Sequence, residues 1–184
     1  MRSLSDFFYK ISNFYLLLLL LGLYIIFVVH YLPEAEKQIN TLAKKEIGPI
    51  DLTIGYFPTR TLQMVKDYGD EARIYYHNVE MTLDILYPLT YACFFIVLLS
   101  LLLKNYKSFR FRKWNIFPIA TLIFDFLENA FIIRLLNLYP AEGIITAHFV
   151  EIFKILKWGS LLILLGILLF AIYSAIKRNI SSSN

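Results

Sequence analysis

Two carboxylic acids and an amide stand in the middle of an apolar segment: Asp125, Glu128 and Asn129 within TLIFDFLENAFII, residues 121–133. Two acids this close can share a proton, which suits general acid–base work or proton-coupled movement of a ligand. The same side chains can instead act as hydrogen-bonding partners between membrane helices. Thr121, Asp125, Glu128, Asn129 and Ile132 fall within about a third of a helix circumference, so the polar groups share one face. Arg134 does not share it and is expected to snorkel to an interface.

A second polar series precedes this one. Arg73, His77, Glu80, Asp84, Tyr87 and Tyr91 alternate at spacings of four and three, which lines one face of a helix. Pro88 lacks an N–H and its ring collides with the carbonyl of Asp84, so a kink with a free carbonyl is expected there. A third series lies in HFVEIFKILKWG. Its Glu151 and Lys154 are three apart and can pair, while Lys157 stands level with Glu128 and either faces inward or snorkels. The polar-site candidates are therefore Asp84, Tyr87, Tyr91, Asp125, Glu128, Asn129 and Lys157, with His77, Glu80, His148, Glu151 and Lys154 around them. The acids Asp84, Asp125, Glu128 and Glu151 nearly balance Arg134, Lys154 and Lys157, which predicts one shared network.

Several chemistries are excluded by what is missing. There is no Gly-rich phosphate loop, no nucleophile elbow and no aspartate-rich motif of the phosphatidyl-alcohol transferases. The single cysteine, Cys93, rules out an intrachain disulfide and with it the dithiol chemistry of quinone-linked oxidases. No mid-span lysine suits a retinal Schiff base. His30, His77 and His148 all fall at or beyond the outer edge, which does not suit haem. His77-x-x-Glu80 and His148-x-x-Glu151 reverse the Glu-x-x-His order of di-iron bundles, so no metal and no cofactor are expected.

The elements that must hold these residues are membrane spans. Of 184 residues, 58% are hydrophobic and 17% charged, with a mean hydropathy of +0.60. A span needs about 20 mostly apolar residues. Four stretches qualify: about Asn13 to Leu32, Asp84 to Leu103, Asn115 to Leu138 and Ile152 to Ile176. The first is too long for a signal-peptide core and reads as a retained anchor. The expectation is a single all-α domain over residues 1–184, a four-helix transmembrane bundle with a partly helical extracytoplasmic loop at about 33–83. Two central acids cost about 5 to 7 kcal/mol on the insertion scale, which roughly cancels the apolar residues of the third span. Its polar face must therefore turn inward.

Charge placement sets the orientation. Lys104, Lys107, Arg110, Arg112 and Lys113 crowd the loop between spans two and three, with Arg2, Lys10, Lys177 and Arg178 in the tails. Both termini and that loop are expected in the cytoplasm, the basic residues reading as a topology and lipid signal rather than a nucleic-acid site. In the long loop, LPEAEKQINTLAKKE carries a helix signature after Pro33, and IGPIDLTIGYFP is broken by Gly48, Pro49, Gly55 and Pro58. Helix is expected to resume near Thr59 with an interruption at Gly69. Tyr56, Phe57, Tyr75 and Tyr76 are expected to cap the cavity at the interface. SSSN at the end reads as a frayed tail.

LDILYPLTYACFF, then FPIATLIFDFLEN and later LKW, resemble a family of small four-span bacterial membrane proteins of uncharacterised function. The shared positions are Asp84, Tyr87, Pro88, Tyr91, Asp125, Glu128 and Asn129, within a stretch from about Ile54 to Trp158. The resemblance implies a four-helix membrane fold and transfers no activity, and the expected location is a bacterial inner membrane.

The leading functional expectation is a polar cavity, open outward or sideways, that binds or processes a lipid or other amphipathic small molecule; binding and catalysis both stay open. A proton-coupled small carrier, which would need a homo-oligomer, and an accessory subunit of a membrane complex are the alternatives. Partners are then membrane lipids, an amphipathic ligand and a second copy or partner subunit, and no nucleic acid.

Overall fold

The computed structural model describes residues 4–106, 109–141 and 143–183, and among them no strand occurs. Arg2, Lys107 and Asn184 lie outside the described residues, as do the side chains of Arg110 and the three tail serines. The chain forms α1 (Leu4–Ile11), α2 (Phe14–Ile26), a π turn (Phe27–Tyr31), α3 (Leu32–Ala43), a 3-10 turn (Ile50–Leu52) and α4 (Pro58–Leu103). Then follow α5 (Phe109–Arg112), a 3-10 turn (Lys113–Ile116), α6 (Pro118–Leu138) and α7 (Ile144–Ser183). Four helices are long and apolar enough to cross a membrane: Phe14–Ala43, Pro58–Leu103, Lys113–Leu138 and Ile144–Arg178. This is an all-α bundle of a multi-pass membrane protein.

The expected separate helix after Pro33 is instead continuous with the first span. Pro33 sits in the first turn of α3, and the π turn before it carries the helix through from α2. α3 ends at Lys44 in the left-handed conformation (φ 52°). The Asn40 side chain then accepts the N–H groups of Ile47 (2.9 Å) and Gly48 (2.8 Å), turning the chain back toward α4. Lys45 pairs with Asp67 of α4 across this turn.

α4 begins at Pro58 and breaks its helical dihedrals at Gly69 alone (φ 69°, ψ 178°). Helical dihedrals persist through Pro88. Its effect is on hydrogen bonding, described below.

Two apolar clusters stack along the bundle. One, at the end carrying the 44–57 connection, joins Ile39, Ile50, Val65, Tyr68, Tyr76, Ile132 and Val150. The other, at the end carrying both termini, joins Tyr9, Leu99, Leu103, Leu164 and Ala171. There α1 is held by Ser5 Oγ donating to Asn115 Oδ1 (2.7 Å), Asn115 Nδ2 donating to Ser100 Oγ (2.9 Å) and Tyr9 donating to the Arg112 carbonyl (2.6 Å). Burial raises the Tyr9 hydroxyl above its ordinary value, which keeps it a donor. α6 packs most broadly on α7 and then on α4, whereas α2 rests on α4 and buries none of its residues.

Gly69 lies in a region of backbone space that is essentially glycine's own, and an added Cβ would meet no atom within 4 Å. Gly69→Ala is therefore expected to cost about 1–3 kcal/mol through backbone strain alone. Gly166→Ala, in a helix with equally open surroundings, should cost nothing; unfolding titrations in mixed micelles compare the two.

Candidate functional site

Between the two apolar clusters lies a polar layer, built where α4, α6 and α7 face one another. Asp125, Glu128 and Asn129 are buried, as are Thr121 and Ile132 on the same face of α6, and Arg134 is exposed on another. Lys157 of α7 turns inward. Its Nζ lies 2.6 Å from Glu128, 3.7 Å from Asp125 and 3.9 Å from Asp51. Its four-carbon stem reaches inward from α7, so the cation meets the two α6 acids side-on.

From α4, Tyr91 donates its hydroxyl to Asp125 (2.8 Å), fixing that carboxylate from the opposite side. Asn129 Nδ2 donates to the backbone carbonyl of Asp84 at 2.7 Å. That carbonyl is the one Pro88 leaves without its helical N–H partner. The proline thus opens a hydrogen-bonding vacancy in α4 that the amide of α6 fills, which fixes the register between the two helices. Glu80, one helical turn before Asp84, is fully buried beside the Tyr76 hydroxyl.

The connection contributes what its sequence did not advertise. Ile50 is fully buried and its N–H donates to the Tyr76 hydroxyl (3.0 Å), which in turn donates to Asp51 (3.3 Å). Tyr76 was expected at the interface with Tyr56 and Phe57; it is instead wholly inside, edge-on to Tyr68, because its hydroxyl serves the 3-10 turn. Tyr56 and Phe57 are exposed. Asp51 is a site residue that sequence reasoning missed. Its only signal is an isolated acid in the apolar run IDLTI.

The expected single network divides in two. Lys154 pairs with Glu151 (2.7 Å) and donates to Thr53 (2.7 Å). Glu151 also accepts from Thr61 (2.5 Å) and the Phe57 N–H (3.1 Å), so this pair is saturated and acts as a clasp for the connection. The physical reason for the split is helical phase and reach: the residues around Lys154 come from the connection and the start of α4, those around Lys157 mainly from α6. His148 bonds Tyr56 (2.6 Å), His77 lies beside Asn78, and Arg73 covers the Tyr139 ring, so none of these three joins the Lys157 group.

A cavity of about 270 Å³ opens onto the Lys157 group. Asp51, Asp84, Asp125 and Lys157 form its polar wall, with Tyr76 and Tyr87 beside them. Val28, Leu32, Pro33, Ala35 and Ile39 from the π turn and α3 form the apolar wall, and Glu36 stands among them. Tyr91, Glu128 and Asn129 do not line this space but support the residues that do. Among the described residues no group of metal-ligating side chains is placed to hold an ion.

Searches against family models, curated proteins and solved structures find no match.

Replacing Asn129 by Leu should lower stability by about 1–3 kcal/mol, because the buried Asp84 carbonyl loses its donor. In a Pro88→Ala background, where the restored N–H serves that carbonyl, the loss should shrink by about 1 kcal/mol; a double-mutant cycle measures the coupling. Lys157→Met leaves buried carboxylates without their cation and should cost about 3–5 kcal/mol, part of it recovered by adding Glu128→Gln.

Proposed function

We propose that this membrane protein binds the polar head of an amphipathic molecule in the cavity beside Lys157, with the apolar tail lying along α2 in the lipid. The observation that carries the reading is the size and asymmetry of the cavity. Its 270 Å³ lies just below the roughly 300–1,000 Å³ of sites that enclose a drug-sized ligand. A head group fits such a space and a whole lipid does not. The charged wall faces an aliphatic one, so head and tail have different surfaces to meet.

Access supports the same reading. The first membrane helix supplies the aliphatic wall from its π turn and α3, while its α2 part buries no residue and touches α4 through Tyr24 stacked on Tyr87 and Phe94. Its π turn, a feature frequent at functional sites, coincides with Val28 at the cavity wall. We place the cavity toward the outer face of a bacterial inner membrane with both termini in the cytoplasm, following the basic loop, and relate the chain to the small four-span family on its LDxxYPxxY and DxxEN positions.

The test is retention of an amphiphile by protein extracted in lipid nanodiscs, read by native mass spectrometry. Val28→Trp should intrude on the cavity and reduce the retained molecule at least tenfold. Val29→Trp, at a neighbouring position 70% exposed and outside the cavity wall, should not. No retained amphiphile, or equal retention by both variants, would overturn the proposal.

A further inference from the structure

We infer that the head group is cationic, an ammonium carried on a long alkyl or acyl chain; this rests on the head-group reading above. The inference comes from how the charges are spent. Lys157 is the one cation of the cavity wall, and its shortest contact (2.6 Å) is to Glu128, which stands behind the wall rather than in it. Asp125 and Asp51 are at 3.7 and 3.9 Å from the same nitrogen. The Asp84 carboxylate has no hydrogen bond or ion pair among the described residues, and it lines the cavity.

Glu80 adds an independent sign. Its side chain is wholly buried one turn above Asp84, and it faces Asp84, Asp51 and Glu128. Its hydroxyl neighbour is Tyr76, which also stands 3.3 Å from Asp51, so one phenol serves two carboxyl groups. Carboxyl groups gathered this way around one lysine repel one another, and a guest bearing positive charge relieves that repulsion. Burying an anionic head among them would add to it.

The shape of the wall selects an alkylammonium over a bare metal ion. Among the described residues no three of these carboxylates converge closely enough to form a ligand set for an ion. Tyr87 presents an aromatic surface in the same wall, and a cation over a phenol ring is attracted by its quadrupole. Val28, Leu32 and Pro33 then meet the first carbons of the chain.

The experiment uses the full chain in dodecyl maltoside micelles, whose own detergent is the neutral competitor. Dodecyltrimethylammonium, dodecylamine, dodecyl sulfate and soluble ethylamine are titrated, with binding read by saturation-transfer NMR and by thermal shift. Both dodecyl cations should bind, and Asp84→Asn should weaken them at least tenfold, with Asp51→Asn weakening them in the same direction. Asp70→Asn, an exposed acid away from the cavity, should leave binding unchanged. A melting curve for each variant separates lost binding from lost fold, and Asp51→Asn carries the test if Asp84→Asn does not fold. Equal binding of sulfate and ammonium, or cation binding unaffected by either foldable variant, overturns the charge assignment while leaving an amphiphile site standing. Ethylamine binding as tightly as dodecylamine overturns the requirement for a chain. Failure of every dodecyl probe, together with no amphiphile retained from nanodiscs, overturns the head-group reading as well.

Discussion

The buried contact between Lys157 and Glu128 is the interaction on which the rest of the arrangement depends. An acid in the middle of an apolar span is costly to insert unless the face that carries it is turned from lipid and given a partner. α6 carries two such acids within one turn, and α7 carries the lysine at the matching height. Joining them forces α6 against α7, which is the broadest helix contact in the molecule. Stacked Phe131, Phe149 and Phe153 then pack beside that seam with centroids 4.9 to 6.4 Å apart. The remaining side of Asp125 faces Tyr91, which brings in α4.

A proline and an amide set the third contact. Pro88 removes a hydrogen bond from α4 without breaking its dihedrals, and Asn129 restores the bond from outside. A buried carbonyl left unsatisfied would cost about 1–3 kcal/mol, so sliding α4 along α6 is penalised at one definite position. Above this layer the connection is tied at several points, among them Asp51 to Tyr76, Thr53 to Lys154 and the Phe57 N–H to Glu151. Lys154 and Lys157 of α7, three residues apart, therefore have separate duties. Lys154 is saturated by Glu151 and Thr53 and holds the connection down, while Lys157 sits at a cavity with more acid around it than it neutralises.

The first span stands apart from this frame. Its α2 part and π turn pack on α4 through aromatic rings, Tyr24 and Phe27 against Tyr87. Ring contacts of that kind contribute about 0.5–1.5 kcal/mol each and tolerate sliding better than a buried ion pair does. The protein thus combines a three-helix core with a first helix anchored through α3 and held by aromatic contacts along α2, and the cavity lies between that core and the π turn and α3.

Much of the fold was legible in the residues themselves. Spans are read from length and apolarity because the bilayer is a uniform solvent with a fixed thickness. The shared face of Asp125, Glu128 and Asn129 and the paired spacing of Glu151 and Lys154 follow from helical periodicity, which is a local property. The freed carbonyl at Asp84 follows from proline chemistry. What periodicity could not supply is which helix meets which face. Whether Lys157 turned inward depended on the rotation of α7 against α6, and the division of the charges into two groups depended on the path of the connection. Asp51 and Tyr76 became part of the polar layer only through a 3-10 turn whose position is set by contacts distant in sequence, Ile50 with Tyr76 and Thr53 with Lys154. Local sequence determines what each helix must hide; only the tertiary structure decides against what it is hidden, because pairing energies belong to two elements at once.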